Sequence, residues 1–151
     1  PAVRAVCGVG RVIAHDPLPD GRSNILLRGF TRARIVEELA PDHAYRIVRA
    51  EPLDDHYRAG ADLGGAVDTL VLLADQLAAR LPSGNETLRN LARSQREPGA
   101  LADVLAAALV TDPGERQSLL ETVDVMARVD TLTAHLGAVL AHFARNQGPA
   151  N

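Results

Sequence analysis

The sequence predicts an α+β fold in which a small, bent antiparallel β lobe precedes a helical bundle. The first 55 residues combine turn signals with stretches in which apolar and polar residues alternate, as they do in strands. From residue 61 to residue 146, apolar residues instead recur every three or four positions, which is typical of the buried face of a helix. We therefore expect a β lobe at 1–55, a linker at 56–60, a helical bundle at 61–146 and a tail at 147–151.

The β lobe is predicted to contain long strands separated by one clear turn. A first strand is expected over residues 3–14, where Gly8 and Gly10 favour a bulge or bend. The turn at residues 16–21 ends in Asp-Gly, which suits a positive φ at Gly21. Residues 23–39 then predict one long strand bent at Gly29, or two consecutive strands. A loop containing Pro41 leads to a last strand over residues 45–53.

The helical lobe is predicted to contain five helices with well-marked ends. A long helix over 63–81 stops before Pro82, and a weaker one covers 85–96. Pro98 opens the third helix, and Asp112-Pro113 with Glu115 forms a capping box that opens the fourth. The fifth begins near residues 122–124 and presents one apolar stripe: Met126, Val129, Leu132, Leu136, Val139, Leu140 and Phe143.

Composition limits the chemistry that this chain can perform. All 16 basic residues are arginine, so the chain lacks the lysine that a nucleotide-binding P-loop or a Ser-Lys peptidase dyad requires. Cys7 is the single cysteine, which rules out an intramolecular disulfide and suits a reducing, cytoplasmic location. We interpret it as a small buried or half-buried thiol and not as a nucleophile. No apolar stretch is long enough to predict a membrane span.

Candidate metal ligands are weak, and we expect neither a metal nor another cofactor. His135 and His142 lie seven residues apart on one helix, a rise of roughly 10.5 Å, so surface positions explain them better than a shared ion does. Asp54, Asp55 and His56 are adjacent in a polar segment, for which a solvated linker is the simpler interpretation.

Two ordered blocks of sequence resemble the N-terminal, substrate-binding domain of Lon proteases. The upstream block contains GVGRVI at 8–13, LPDG at 18–21, ILLRGFTRARI at 25–35 and YR at 45–46. The downstream block contains LADVLAAALV at 101–110 and RQSLLETVDVMAR at 116–128. The resemblance implies a β lobe that forms part of a PUA-like barrel. It departs from the family at the front, where further opening strands are expected, so we interpret the chain as trimmed there.

The resemblance implies a non-catalytic recognition module that binds exposed or unfolded polypeptide segments. Its partners would be such segments, with a AAA+ protease or a second copy of the chain as further partners. The polar residues 145–151 indicate a natural tail, so we expect a stand-alone bacterial Lon-domain protein. Incomplete pairing would leave sheet edges open to an added strand, whether from a peptide or from a second copy.

The predicted binding residues lie on the long second strand. They are Leu26, Arg28, Phe30, Arg32 and Arg34. A period of two, with a bend near Gly29, would place the three arginines on one face of the sheet.

Three interpretations of these arginines remain open. They could form a solvated outer face beside Glu37 and Glu38, a groove for polypeptide, or a nucleic-acid surface. A net charge of −3 and an aromatic content of 3% make nucleic acid the least favoured partner. For the whole chain, the alternatives are a structural or oligomerisation module, which an exposed stripe on the last helix would favour, and an RNA-binding PUA-like domain.

Overall fold

The structure, a computed structural model, describes residues 3–40 and 42–146. The predicted tail at 147–151 and Pro41 of the predicted loop lie outside the described residues. The chain divides into two compact units, Pro1–Asp54 and Asp55–Asn151. The described part of the first unit holds an antiparallel sheet and that of the second holds helices, which confirms the α+β class.

Within the described residues the sheet has three strands in the order β1-β2-β3, with antiparallel neighbours. They are β1 (Val6–Pro17), β2 (Ser23–Glu38) and β3 (Val48–Leu53). The predicted stretch 23–39 thus forms one long strand, which ends at Glu38, and not two. The first strand lies about three residues later than predicted, and the last starts at 48 instead of 45. The first difference arises because the turn is shorter than the Pro-rich sequence suggested.

The turn between β1 and β2 occupies only residues 18–21. The amide of Gly21 donates to the carbonyl of Leu18 at 3.1 Å, and the amide of Leu18 donates to Arg22 at 2.7 Å. Gly21 has a φ of +83°, as its position in Asp-Gly predicted, and the Asp20 carboxylate accepts a hydrogen bond from the Arg22 amide at 3.1 Å. Asp16 and Pro17 therefore remain in the strand.

Bulges interrupt the alternation of side chains along the hairpin. Between the pairs Val9–Thr31 and Gly10–Gly29, β2 carries Phe30 as an extra residue. A Cβ at Gly10 would lie 2.9 Å from the carbonyl oxygen of Arg28, so the backbones approach too closely for any other residue. Glycine at this position predicted the bulge, but the inserted residue lies on the opposite strand.

The described part of the second unit contains five helices, and α3 and α4 start at the predicted signals. They are α1 (Leu63–Ala78), α2 (Asn85–Ser94), α3 (Pro98–Leu109), α4 (Pro113–Glu121) and α5 (Val125–Asn146). At α4 the Asp112 carboxylate accepts a hydrogen bond from the amide of Glu115 at 2.8 Å. The Asp62 and Glu97 carboxylates cap α1 and α3 in the same way.

The helices enclose one apolar core. Leu70, Leu105, Leu132 and Leu136 are fully buried, and Phe143 packs against this cluster from its margin. The apolar stripe of α5 therefore faces inwards. The exposed stripe that would have favoured oligomerisation through α5 is absent from the described helix.

Candidate binding surface

The outer part of the β1–β2 hairpin presents a group of large apolar side chains to solvent. We call this group the hairpin surface: Val12, Ile13, Ile25, Leu26, Leu27 and Phe30. Each is between 51% and 68% exposed. Single exposed apolar residues are ordinary, but several together on neighbouring strands are typical of an interaction site.

The same part of the hairpin has unpaired strand edges within the described sheet. β1 pairs only with β2, so the other edge of its 12 residues is open. β3 pairs with residues 32–38 of β2 and leaves residues 23–31 without a second neighbour. Open backbone donors and acceptors therefore lie beside the apolar side chains, which is the arrangement that an added strand requires.

The bulge at Phe30 places the predicted arginines on opposite faces of the sheet. Arg28 pairs with Arg11, whereas Arg32 pairs with Gly8. Because Gly8 and Arg11 are three residues apart on a strand without an insertion between them, their side chains point to opposite faces. The prediction that Arg28, Arg32 and Arg34 share one face is therefore wrong, since the inserted residue shifts the period of two.

We name the two faces of the hairpin after the residues of β1. The Arg11 face carries Arg11, Leu26 and Arg28. The Gly10 face carries Val12 and Leu27, which lie between the Gly10–Gly29 pair and the turn. The same face carries Arg32 and Arg34, which lie on the side of that pair away from the turn.

The five predicted binding residues differ in accessibility. Leu26 and Phe30 belong to the hairpin surface, and Arg28 and Arg34 are exposed. Arg32 is only 8% exposed, which leaves little of it for a partner. Arg11, which faces Arg28, was not among the predicted binding residues. A single arginine next to Val12 in a strand does not by itself indicate a binding role.

The two acidic residues at the end of β2 form ion pairs with Arg49 of β3 and with Arg46, which lies just before β3. Glu37 lies 3.1 Å from Arg49, and Glu38 lies 3.4 Å from Arg46. Both pairs are solvent-exposed, so each contributes little to stability. One open interpretation was a solvated arginine face beside Glu37 and Glu38. The two carboxylates instead pair with Arg49 and Arg46, so they do not neutralise Arg28.

Asp55 has a specific partner instead of belonging to a solvated linker. Its two carboxylate oxygens accept hydrogen bonds from Arg128 at 2.9 and 2.7 Å, and the Arg128 side chain is 1% exposed. Arg128 also donates to the carbonyl of Thr122 at 2.9 Å. Burial acts to lower the pKa of Arg128, but the hydrogen bonds to Asp55 and the charges of Asp103 and Asp55 outweigh it and the pKa is raised. This pair joins the start of the helical unit to α5.

Tyr57 and Glu97 form a second contact in the same unit. The Tyr57 hydroxyl donates to the Glu97 carboxylate, which also accepts from the amides of Gly99 and Ala100. Burial together with this hydrogen bond raises the pKa of Tyr57 to about 12. For Glu97, burial acts to raise the pKa, but the hydrogen bonds outweigh it and the pKa is lowered.

The helical unit also contains an open recess with a histidine, between α4 and α5. It has a volume of about 560 Å³, and its lining includes Ser118, Glu115 and His135. The His135 ring lies 3.3 Å from the Glu115 carboxylate. No hydrogen bond joins the Ser118 hydroxyl to this ring in the described structure, so the contact that would activate a nucleophile is lacking.

Ligand-type side chains do not converge elsewhere. Among residues 3–40 and 42–146, no three His, Cys, Asp or Glu side chains are placed to hold a metal ion together. Among the same residues, no helix combines the length and apolarity that a membrane crossing needs.

The fold and this surface define an α+β domain in which a β-hairpin sheet with an exposed apolar end precedes a closed helical bundle. The family model of the ATP-dependent protease La (LON) substrate-binding domain matches residues 1–137. The chain belongs to this family, as the two sequence blocks predicted.

The similar proteins are much longer than this chain. The Lon protease of Trichlorobacter lovleyi is 34% identical over 94% of this chain, and that of Desulforamulus reducens is 30% identical over 87%. This chain spans only 18% and 16% of their lengths.

A solved structure, the N-terminal domain of a Mycobacterium avium complex Lon protease, superposes with a TM-score of 0.74 at 20% identity. The match covers 88% of this chain and 70% of the other. A Lon N-terminal domain protein from Xanthomonas campestris gives a TM-score of 0.57 at 21% identity, over 87% of this chain and 68% of the other. Both support the fold.

Proposed function

We propose that the hairpin surface binds extended, apolar segments of unfolded polypeptides. The observation that carries this proposal is the coincidence of exposed apolar side chains with open strand edges at one end of the hairpin. Membership of a substrate-binding domain family supports the same function. The binding step itself needs no catalytic group.

An extended segment could use both features of the hairpin at once. Its backbone would pair with the free edge of β1 or with residues 23–31 of β2, and alternate side chains would cover the apolar residues. Each apolar side chain that becomes covered contributes about 25 cal/mol per Å² of area removed from water. Ordering a flexible chain offsets much of this gain, so we expect affinity on the order of tens of micromolar and little sequence specificity.

The test is a titration of a fluorescently labelled, unstructured apolar peptide with the 151-residue chain. The double variant Leu26→Ser and Phe30→Ser removes two exposed apolar groups and should weaken binding by about thirtyfold or more, since each fully covered side chain contributes about 1 kcal/mol or more. Leu72→Ser is the matched control because Leu72 is 56% exposed but lies on α1 of the helical unit.

Two results would contradict the proposal. One is an absence of binding at several hundred micromolar protein. The other is an equal loss of affinity in the control and in the hairpin variant, which would place the binding site elsewhere.

A second copy of the chain is the competing occupant of the same edge. The open edge of β1 is 12 residues long, and two such edges could pair antiparallel about a twofold axis. Sedimentation over a range of concentrations distinguishes the two. A dimer that persists at low micromolar concentration and dissociates when apolar peptide is added would show that both occupants use one edge.

We further propose that this recognition serves an ATP-dependent protease, either as part of a longer chain or through association. The Lon relatives provide the support, since the matched region is a small fraction of each. The present sequence contains no lysine, so residues 1–151 alone should neither hydrolyse ATP by a P-loop mechanism nor cleave peptide by a Ser-Lys dyad.

A further inference from the structure

Two arginines face each other on the hairpin without a neutralising partner. Arg11 of β1 and Arg28 of β2 are direct cross-strand partners in the register, and both are exposed. Directly opposed residues have Cβ atoms about 5 Å apart, and like charges in this arrangement destabilise a sheet. The stability of the sheet therefore does not explain why two arginines are present at these positions.

Four other arginines near this sheet have acidic neighbours, unlike these two. Arg22, Arg46 and Arg49 form ion pairs with Asp20, Glu38 and Glu37. Arg34 is the cross-strand partner of Glu51.

Neither Arg11 nor Arg28 has an ion pair or a side-chain hydrogen bond within residues 3–40 and 42–146. Along β1, the next acidic residue towards the turn is Asp16, five positions and roughly 15 Å away.

The arginine pair lies on the same face as Leu26, one member of the hairpin surface. Leu26 is two residues from Arg28 on β2, with no insertion between them, so their side chains point the same way. Two guanidinium groups side by side present several N–H donors in planar arrays that match the oxygens of a carboxylate. A ligand with one acidic group next to an apolar side chain would complement both parts of this face.

We infer that the Arg11–Arg28 pair selects segments in which an acidic side chain lies beside apolar residues, with the carboxylate bound between the two guanidinium groups. This inference rests on the proposed function, because it specifies which polypeptide segments the hairpin surface prefers. The arginine pair would make the hairpin surface selective for the charge of a segment, although the surface accepts many different apolar residues. Basic residues at the same place in a segment would be repelled.

An acidic polypeptide fits the whole chain better than a nucleic acid does. A phosphate backbone requires many cationic contacts, and the net charge of the chain is −3. Stacking of bases requires aromatic platforms, and the whole sequence has only two phenylalanines, two tyrosines and no tryptophan. Two adjacent arginines suffice for one carboxylate.

The experiment compares three peptides that each contain a Leu-Phe pair. The residue next to this pair is Glu in the first peptide, Gln in the second and Lys in the third. Binding to the full chain is measured by fluorescence anisotropy at low and moderate salt. Exposed charge pairs contribute up to about 1 kcal/mol each, so the Glu peptide should bind about fivefold more tightly than the Gln peptide at low salt. The Lys peptide should bind more weakly than both, and added salt should reduce all differences.

Variants locate the preference on the arginine pair. Arg11→Gln and Arg28→Gln should each reduce the ratio of Glu to Gln affinities and leave the affinity for the Gln peptide nearly unchanged. Arg34→Gln is the matched control, because Arg34 is an exposed arginine of the same strand on the opposite face. Its ratio should equal that of the unmodified chain.

The outcomes separate this inference from the proposed function. Equal binding of the Glu and Gln peptides, or a ratio that falls in Arg34→Gln as much as in Arg28→Gln, would overturn the inference and leave apolar binding intact. An absence of binding by every peptide would overturn both. Competition against the labelled Glu peptide tests the nucleic-acid alternative. If a single-stranded oligonucleotide displaces the labelled peptide at a lower concentration than unlabelled Glu peptide does, a nucleic-acid ligand is favoured and the acidic-peptide assignment is overturned.

Discussion

The two units of the chain use their apolar residues in opposite ways. In the helical unit, leucines of α1, α3 and α5 are withdrawn from solvent, and the buried Arg128 has a carboxylate partner. In the outer hairpin, six large apolar side chains remain more than half exposed and the Arg11–Arg28 pair has no carboxylate beside it. A single chain thus combines a region that buries its large apolar groups and pairs its buried arginine with a region that leaves both kinds of group exposed.

This difference indicates where stability and recognition reside. Burial of apolar area is the main favourable contribution to folding, so the helical core should dominate the free energy of unfolding. Exposed apolar groups and like-charge neighbours contribute little or unfavourably to the isolated fold, and they become favourable only when a partner covers them. Mutations in the two regions should therefore change different measurements.

The largest expected effect comes from truncating a core leucine. Leu136→Ala removes a fully buried side chain of α5 and should lower the free energy of unfolding by about 3 kcal/mol. Leu26→Ala makes the same chemical change at a position that is 57% exposed and should cost less than about 0.5 kcal/mol. Urea unfolding followed by circular dichroism measures both. Similar losses in the two variants would show that the hairpin is covered in solution.

Loss of the buried ion pair should have the next largest effect. Asp55→Ala leaves Arg128 buried without its bidentate partner, and removing one partner of such a pair typically costs about 3 kcal/mol. Asp103 lies 3.5 Å from Arg128 and retains part of the compensation, so we expect about 2 kcal/mol. Arg89→Gln, which removes an exposed pair with Glu86, is the control and should change stability by less than about 0.5 kcal/mol. An equal change in both variants would contradict the assigned role of Asp55.

A smaller effect is expected at the hairpin turn. Gly21→Ala places a side chain at a φ of +83° and should destabilise the turn by about 1 kcal/mol. Gly29→Ala is the control, since Gly29 has a negative φ and a Cβ there would meet no atom within 4 Å. Faster amide hydrogen exchange across β1 and β2 in Gly21→Ala alone is the expected result. The same acceleration in both variants would mean that glycine content, not the turn geometry, controls the hairpin.

The sequence was sufficient to predict features that depend on local chemistry. The N-cap at Asp112, which is half of the predicted capping box, the proline that opens α3 and the positive φ of Gly21 all act within a few residues, and each lies where it was expected. The buried stripe of α5 also followed from its spacing, although the pattern alone did not show that it would be fully enclosed.

Features that depend on distant residues could not be predicted in this way. Asp55 and Arg128 are 73 positions apart, and a short polar segment gives no sign of such a partner. The insertion at Phe30 is visible only in the pairing of two strands, and it decides that Arg28 faces Arg11 instead of sharing a face with Arg34. The composition of the candidate site was therefore predicted in part, whereas its division between two faces required the fold.

The smallest expected effect concerns the pH dependence of the helical unit, because Tyr57 is 47% exposed and solvent screens its contact with Glu97. Because the folded state raises the pKa of Tyr57 from 10.0 to about 12, the folded chain holds this proton more strongly than the unfolded chain does. The resulting stabilisation is complete below pH 10 and is lost as the pH rises through about 12. The stability difference between the unmodified chain and Tyr57→Phe should therefore shrink over this interval in urea unfolding experiments. Leu72→Ala introduces no change in titratable groups, and its difference from the unmodified chain should stay constant with pH. A difference for Tyr57→Phe that is equally constant would show that the Tyr57–Glu97 contact does not form in solution.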